Sequence, residues 1–141
     1  MKKSPKLTVD IVIKDGNRIV LIKRKNPPYR DMYALPGGFV EYGEKVEDAA
    51  VREAKEETSL DVKLVRIIGV YSAPDRDPRG HTVAVCFLAV PTESESVPKG
   101  GDDAAHAEWF SLDALPKLAF DHEKIVRDAV QQAHTKKFKS A

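Results

Sequence analysis

Residues 45–59 read KVEDAAVREAKEETS, and no other segment constrains the chain as tightly. The stretch has no Gly or Pro, its composition favours helix, and its apolar residues recur at helical spacing. Glu53, Glu56 and Glu57 fall within about one turn of one another, near the predicted C-terminal end. Like charges at i,i+4 destabilise a helix, and a helix C-terminus already carries partial negative charge. Three carboxylates placed there create a conflict that some other group must relieve.

On a wheel of about 100° per residue, these glutamates share a side with Val46, Ala49 and Ala50, while Asp48, Arg52 and Lys55 lie toward the other. If the small apolar residues mark the face that packs inward, the carboxylates point at or along the protein body. Two carboxylates about 6 Å apart repel by roughly 3 kcal/mol at an effective dielectric of about 20. Arg52, one turn before Glu56, can offset part of this. A divalent cation offsets more, and clustered oxygens suit Mg²⁺ or Mn²⁺ rather than Zn²⁺. The histidines, at 81, 106, 122 and 134, show no zinc spacing. The preceding PGGFVEYGE (36–44) supplies glycines where the main chain can come close to whatever the metal holds. Mg²⁺ usually works with one or two carboxylates plus substrate phosphates, so the pattern points to metal-assisted phosphate chemistry.

Outward from the helix, LTVDIVIK (7–14) and RIVLIKRK (18–25) predict a hairpin about Asp15-Gly16-Asn17, with Gly16 at positive φ. NPPYRDMYALPGG (26–38) predicts a loop with a short extended piece at 33–35. LDVKLVRIIGVYS (60–72) reads as one long or two broken strands, with a bulge at Gly69. APDRDPRG (73–80) is a charged loop, HTVAVCFLAV (81–90) a strand apolar enough to be central, and PTESESVPKGGDDA (91–104) a polar loop. AEWFSL (107–112) is a short strand, and DALPKLAF (113–120) is expected to hold one turn of helix. DHEKIVRDAVQQAH (121–134) is an amphipathic helix with Asp121 as N-cap and Ile125, Val126, Ala129, Val130 and Ala133 on one face. The order predicts an α+β fold with α/β/α layering: a mixed sheet with the first helix on one side and the last on another.

The totals bound the function. A chain of 141 residues, 42% hydrophobic and 32% charged, fits a single domain. A net charge of +1 gives no field that points to nucleic acid or an anionic membrane. The basic clusters at Lys23-Arg24-Lys25 and Lys136-Lys137 read as solvated surface and tail. The lone Cys86 cannot form an internal disulfide, and its apolar surroundings predict a buried structural thiol. No apolar run approaches the ~20 residues of a membrane span, and the basic N-terminus has no following signal-peptide core. The expected location is cytoplasmic.

Residues 38–60, GFVEYGEKVEDAAVREAKEETSL, resemble the Nudix box, G-x5-E-x7-R-E-U-x-E-E-x-G-U with U aliphatic. Gly38, Glu44, Arg52, Glu53, Glu56, Glu57 and Leu60 fall in register, with Ala54 in the other aliphatic place. The departure is Ser59 where the pattern has Gly, which predicts a modest stability cost and intact chemistry. The resemblance implies a Nudix-type mixed sheet sandwiched between helices, as a single domain over 1–141. It implies that Glu53, Glu56 and Glu57 hold divalent ions (Mg²⁺ or Mn²⁺), with the Gly38 carbonyl as a further ligand. Arg52 then orients the carboxylates and Glu44 bridges to the helix. Water attacks a phosphorus of a nucleoside diphosphate derivative, with a box glutamate or an acid of GGDDAAHAE (Asp102, Asp103 or Glu108) as base.

YSAPDRDPRGHTVAVCF (71–87), with Pro74, and the later 101–125 are similar to the ADP-ribose pyrophosphatases of this superfamily. That resemblance implies Mg²⁺-dependent hydrolysis of ADP-ribose to AMP and ribose 5-phosphate. Arg76 and Arg79 would then act as forked donors to the pyrophosphate or terminal ribose, with ion pairing inside the loop as the alternative. The resemblance also implies Asp103 as a further substrate contact. Tyr33, Tyr71 or Phe120 would stack on adenine, with core packing as the alternative. Two other outcomes stay open: another nucleoside diphosphate derivative as substrate, or a non-catalytic ADP-ribose-binding module. RDPRG also occurs in related transcriptional regulators, but this chain has no room for their DNA-binding domain. The resemblance also implies a homodimer.

Overall fold

In the computed structural model, residues 2–101 and 104–139 are described, 133–139 through the backbone alone. The sheet is organised by a splayed hairpin. Strand β1 (Lys6–Asp15) and strand β2 (Arg18–Arg24) turn about Gly16, whose φ of 61° suits a two-residue hairpin loop. They pair only at the closed end, Lys14 opposite Ile19 and Asp15 opposite Arg18. Beyond it the strands separate and take different partners. β1 runs parallel to β6 (Thr82–Pro91) from Lys6↔Thr82 to Ile13↔Ala89 and antiparallel to the short β4 (Gly37–Phe39). β2 lies antiparallel to β3 (Tyr33–Ala34) and β7 (Ala104–Ser111). β5 (Val62–Tyr71) pairs with the far side of β6.

β1, β2 and β6 are buried on both faces, which is why they read as nearly continuous apolar runs. Their side chains alternate between two clusters, as a pleated strand requires. Val9, Ile11 and Ile13 of β1 join Val20, Ile22, Phe87 and Ala89 against Ala49, Ala50 and Ala54 of helix α1 (Val46–Thr58). Val12 joins Ile19, Leu21, Ala84, Cys86 and Leu88 against Ile125, Val126 and Ala129 of helix α2 (His122–Lys139). The layers are therefore helix, mixed sheet, helix, as the element order predicts. Cys86 is fully buried, and burial pushes its thiol pKa well above the ordinary range, which makes it inert. Among the described residues no helix is long and apolar enough to cross a membrane.

Several expectations need correction. Residues 113–120 contain no helical turn; Leu118 bridges to Tyr33 instead. β7 begins at Ala104, earlier than the apolar pattern indicates, because pairing with β2 extends it. For β5 the expectation holds: it is one long strand with the expected irregularity between Ile67 and Gly69 and a further slip between Leu64 and Arg66. Asp121 stands before α2 but its carboxylate bonds Arg76 rather than helix N–H groups. The Ala133 and His134 side chains and the Lys136-Lys137 cluster lie outside the described side chains.

Ser59 closes α1 in the left-handed conformation, φ 65° and ψ 8°, with its N–H bonded to the Lys55 carbonyl at 2.9 Å. That geometry favours glycine, and a residue with Cβ is disfavoured there by about 1–2 kcal/mol. Ser59→Gly is therefore expected to raise unfolding free energy by about 1 kcal/mol, read as a higher urea midpoint at unchanged m value. A lower midpoint would show that the serine side chain does something else.

Candidate active site

The glycine pair forms one wall. Gly37 and Gly38 sit in β4 opposite Asp10 and Val9 of β1. A Cβ on Gly37 would strike the Val9 carbonyl and the Asp10 carboxylate, and one on Gly38 would strike the Glu53 carboxylate. The glycines are thus required by close approach, not by an unusual φ. Gly37 N–H donates to Glu57 Oε1 at 2.8 Å, which pins a buried glutamate against the same strand. Glu53 and Glu57 line a cleft of about 260 Å³ together with Gly37, Gly38 and Phe39.

Arg52 answers the repulsion. Its Nε and Nη2 grip both oxygens of Glu44, at 2.8 and 3.0 Å, and Nη2 also donates to the Phe39 carbonyl at 3.1 Å. Nη1 lies 3.2 Å from Glu56 and 3.5 Å from Glu53. The Arg52 hydrogen bond holds the Glu44 carboxyl down to about 2. One guanidinium therefore ties the turn before α1 to the acidic turn at its end. The wheel is right for Glu57, which is buried, and for Glu53, which is nearly so; Glu56 departs from it, turning outward to Arg52 with its side chain 39% exposed.

Among the described residues no three Asp, Glu, His or Cys side chains converge into a ready metal cage. The carboxylates are shared among other partners, Glu56 with the Arg52 guanidinium and Glu57 with the Gly37 amide. Two glutamates against glycine main chain in an open cleft nonetheless form an oxygen-rich cradle that a Cβ would fill. This donor set fits a hard divalent cation.

Next to the glycines the cleft is lined by a buried ionic network. Arg76, with 5% of its side chain exposed, binds Asp121 twice (Nε 2.9 Å, Nη2 2.7 Å), Thr82 Oγ1 at 2.9 Å and Asp10 at 3.5 Å. His122 Nδ1 accepts the Leu35 N–H at 3.0 Å, and Nε2 lies 3.5 Å from Asp10. With that acceptor nitrogen occupied, His122 is no candidate base despite lining the cleft. Burial works to raise the Asp10 pKa, but His122 and Arg76 win and hold it below the usual range. Asp77 behaves likewise: burial opposes ionisation and Arg79, bonded at 2.8–3.1 Å, prevails.

The cleft gathers Gly38, Glu53, Glu57, Arg76, Arg79 and Phe120 of the sequence-derived candidates. Tyr33 and Tyr71 are not brought there. Tyr33 packs edge-on against Phe110 at 4.8 Å, and the Tyr71 hydroxyl donates to Asp128 at 2.7 Å. Both belong to the layer under α2, so the alternative of core packing holds for them. Arg76 is a cleft residue, but its forked donors are engaged by the protein itself. Glu108 pairs with His106 at 2.6 Å on β7 and does not line the cleft. Asp102 and Asp103 lie outside the described residues. Asp10, Asn26, Asp77, Thr82 and His122 also line the cleft, and so does Arg24, so the Lys23-Arg24-Lys25 cluster is not wholly the solvated surface expected of it. A usable signal existed for Asp10, an acid in the middle of the otherwise apolar LTVDIVIK.

Glycine-backed glutamates at the end of the first helix of an α/β/α sandwich have counterparts in known proteins. The NUDIX domain pattern matches residues 4–129, and the chain belongs to the NUDIX family. It is 56% identical over 124 residues to an ADP-ribose pyrophosphatase of Methanocaldococcus jannaschii, covering 88% of this chain and 72% of that protein. It is 32% identical to an ADPR responsive transcriptional repressor of Acinetobacter baylyi, spanning 94% of this chain but only 56% of the repressor. Among solved structures, a MutT/nudix family protein of Enterococcus faecalis superposes with a TM-score of 0.85 at 33% identity, over 96% of this chain and 64% of that one. A bifunctional NMN adenylyltransferase/ADP ribose pyrophosphatase of Francisella tularensis, complexed with AMP and a manganese ion, gives 0.84 at 30% identity, over 93% and 42%.

The burial of Arg76 separates two roles. Arg76→Met leaves Asp10 and Asp121 without their cation and should cost about 3–5 kcal/mol in urea unfolding. Retained stability with a raised KM alone would instead mark a substrate-contacting side chain.

Proposed function

We propose that this protein is a divalent-metal-dependent pyrophosphohydrolase that cleaves ADP-ribose to AMP and ribose 5-phosphate. The observation that carries this is the pairing of Glu53 and Glu57 with the glycine wall of one cleft. The extent of similarity to an archaeal protein named for that activity supports the substrate, and the manganese and AMP of the Francisella structure support a divalent ion beside a nucleotide.

Glu53, Glu56, Glu57 and the main chain at Gly38 would hold Mg²⁺ or Mn²⁺, the ligand set that the resemblance implies. A bound ion polarises phosphate oxygens and lowers the pKa of a coordinated water. The chain supplies the rest. Gly37 fixes the Glu57 carboxylate so that it need not reorganise during the reaction. Arg52 keeps Glu44, Glu53 and Glu56 in place and offsets their charge. Of the described acids in the cleft, Asp10 and Asp77 are held ionised by arginine and histidine partners and make weak proton acceptors. Proton abstraction therefore falls to a box glutamate, with Asp102 and Asp103 as the remaining alternatives. Ser59 lies at the helix cap, outside this set, and does not impair it.

Purified protein with ADP-ribose and Mg²⁺ should yield AMP and ribose 5-phosphate, and Glu57→Gln should lower kcat by about 10²–10⁴-fold with an unchanged circular dichroism spectrum. Absence of AMP rejects the assignment, and ADP-ribose binding without turnover identifies a sensor instead.

We also place the protein in the cytoplasm, as one domain, and propose a homodimer. Val65, Ile67 and Val70 of the edge strand β5 are 49–60% exposed, an apolar row that a second copy would cover. Sedimentation equilibrium at micromolar concentration should give twice the chain mass; a single-chain mass excludes the dimer.

A further inference from the structure

The segment between β6 and β7 has the composition of an ordinary polar loop, yet its main chain is fastened to the acidic end of α1. Thr92 N–H donates to the Asp61 carbonyl at 2.9 Å, and Lys99 N–H donates to the Thr58 carbonyl at 2.8 Å. The Trp109 indole N–H of β7 holds the middle of the segment by the Ser96 carbonyl, at 2.9 Å. Ala104 N–H donates to the Gly101 carbonyl at 2.8 Å. Thr58 is itself fully buried; its hydroxyl donates to the Ala54 carbonyl at 2.6 Å and accepts the Leu60 N–H at 3.2 Å.

Gly100 and Gly101 let the segment lie this close. A Cβ on Gly101 would strike the Glu56 carbonyl oxygen. One on Gly100 would come within 2.8 Å of the Ala104 carbonyl oxygen and 2.9 Å of the His106 nitrogen. Gly101 is therefore fitted to the helix and Gly100 to the start of β7. The obstacles are main chain, which cannot swing aside as the tip of a side chain does. Electrostatics gives the contact a reason. The last carbonyls of a helix lack intrahelical partners and concentrate partial negative charge, here beside Glu53, Glu56 and Glu57. The Lys99 N–H satisfies one of those carbonyls and brings partial positive charge to that end. Arg52 and the Gly37 amide relieve the side chains; this segment relieves the main chain that carries them.

We propose that residues 99–101 form a strap that positions the metal carboxylates, with Gly101 and the Lys99 N–H as positioning residues. Without the strap the last turn of α1 frays, as helix ends do, and Glu56 and Glu57 lose the placement that a shared cation requires. The link is reciprocal: a strap that favours the metal-binding geometry is itself stabilised by the metal. This rests on the reading of the acidic turn as a metal cradle, and it adds what holds that turn in shape.

Mn²⁺ titration of the nucleotide-free protein, followed by electron paramagnetic resonance, tests it on wild type, Gly101→Ala, Lys99→Pro and Lys99→Ala. Gly101→Ala, and Lys99→Pro, which removes the N–H, should each weaken Mn²⁺ binding by about ten- to a hundredfold, the range for groups that orient metal ligands. Lys99→Ala keeps the N–H and should retain wild-type affinity; an equal loss there assigns the effect to the side-chain charge and overturns the strap. In wild type, Mg²⁺ should slow hydrogen exchange at the Lys99 amide, a measurement that decides the matter if the variants fail to fold. Lowered urea midpoints with wild-type Mn²⁺ affinity, or Lys99 exchange indifferent to Mg²⁺, reduce the segment to scaffolding and overturn the proposal. The expected Mn²⁺ losses in a protein that yields no AMP from ADP-ribose would sink the hydrolase assignment and leave the strap standing. Wild-type turnover with undiminished Mn²⁺ affinity in the variants would do the reverse, and a wild type that takes up no Mn²⁺ removes both.

Discussion

The acidic turn at the end of α1 governs the site. Three carboxylates in about one turn beside the negative end of a helix are unfavourable for an isolated chain. The protein manages this by distribution: Arg52 takes Glu56 and approaches Glu53, while the Gly37 amide takes Glu57. Neither partner matches the attraction of a divalent ion for clustered oxygens. The result is an arrangement that offsets the repulsion and still leaves Glu53 and Glu57 lining the cleft. The glycines belong to the same constraint, because any side chain at Gly38 would occupy the space of the Glu53 carboxylate.

The second ionic centre has a different task. Asp10, Arg76, Asp121 and His122 come from β1, the loop before β6 and the start of α2, and they meet behind the cleft. A buried cluster of this kind adds little net stability over an apolar replacement of equal shape. Its value lies in position. Asp10 abuts Gly37, and His122 holds the Leu35 amide, so α2 is tied to the strand that backs Glu57. The expected helix-capping role of Asp121 gives way because bonding a buried guanidinium outweighs one exposed helix N–H.

The helix, its apolar face, the central strands and the box register were all legible, since each depends on local spacing. What failed was what depends on distant partners. The outward turn of Glu56 follows from Arg52, and both wheel positions were readable, but the winner of the competition between burial and ion pairing was not. Tyr33 and Tyr71 looked available because aromatic residues near loops do; their partners Phe110 and Asp128 lie far along the chain. The parallel pairing of β1 with β6, across some seventy residues, leaves no local mark. Yet it is this pairing that sets Asp10 opposite Cys86 and within reach of Arg76, which also bonds Thr82 at the start of β6.

The cleft draws on two kinds of segment. Its acidic end is built from β4 and α1, close together in sequence, which explains why a short pattern identifies it. The other end draws on 24–29, 73–80 and 118–122, loops held by each other through ion pairs and ring contacts. Loops of this kind change their residues without disturbing a core. The acidic end and the loop end of the cleft are therefore free to vary independently of each other.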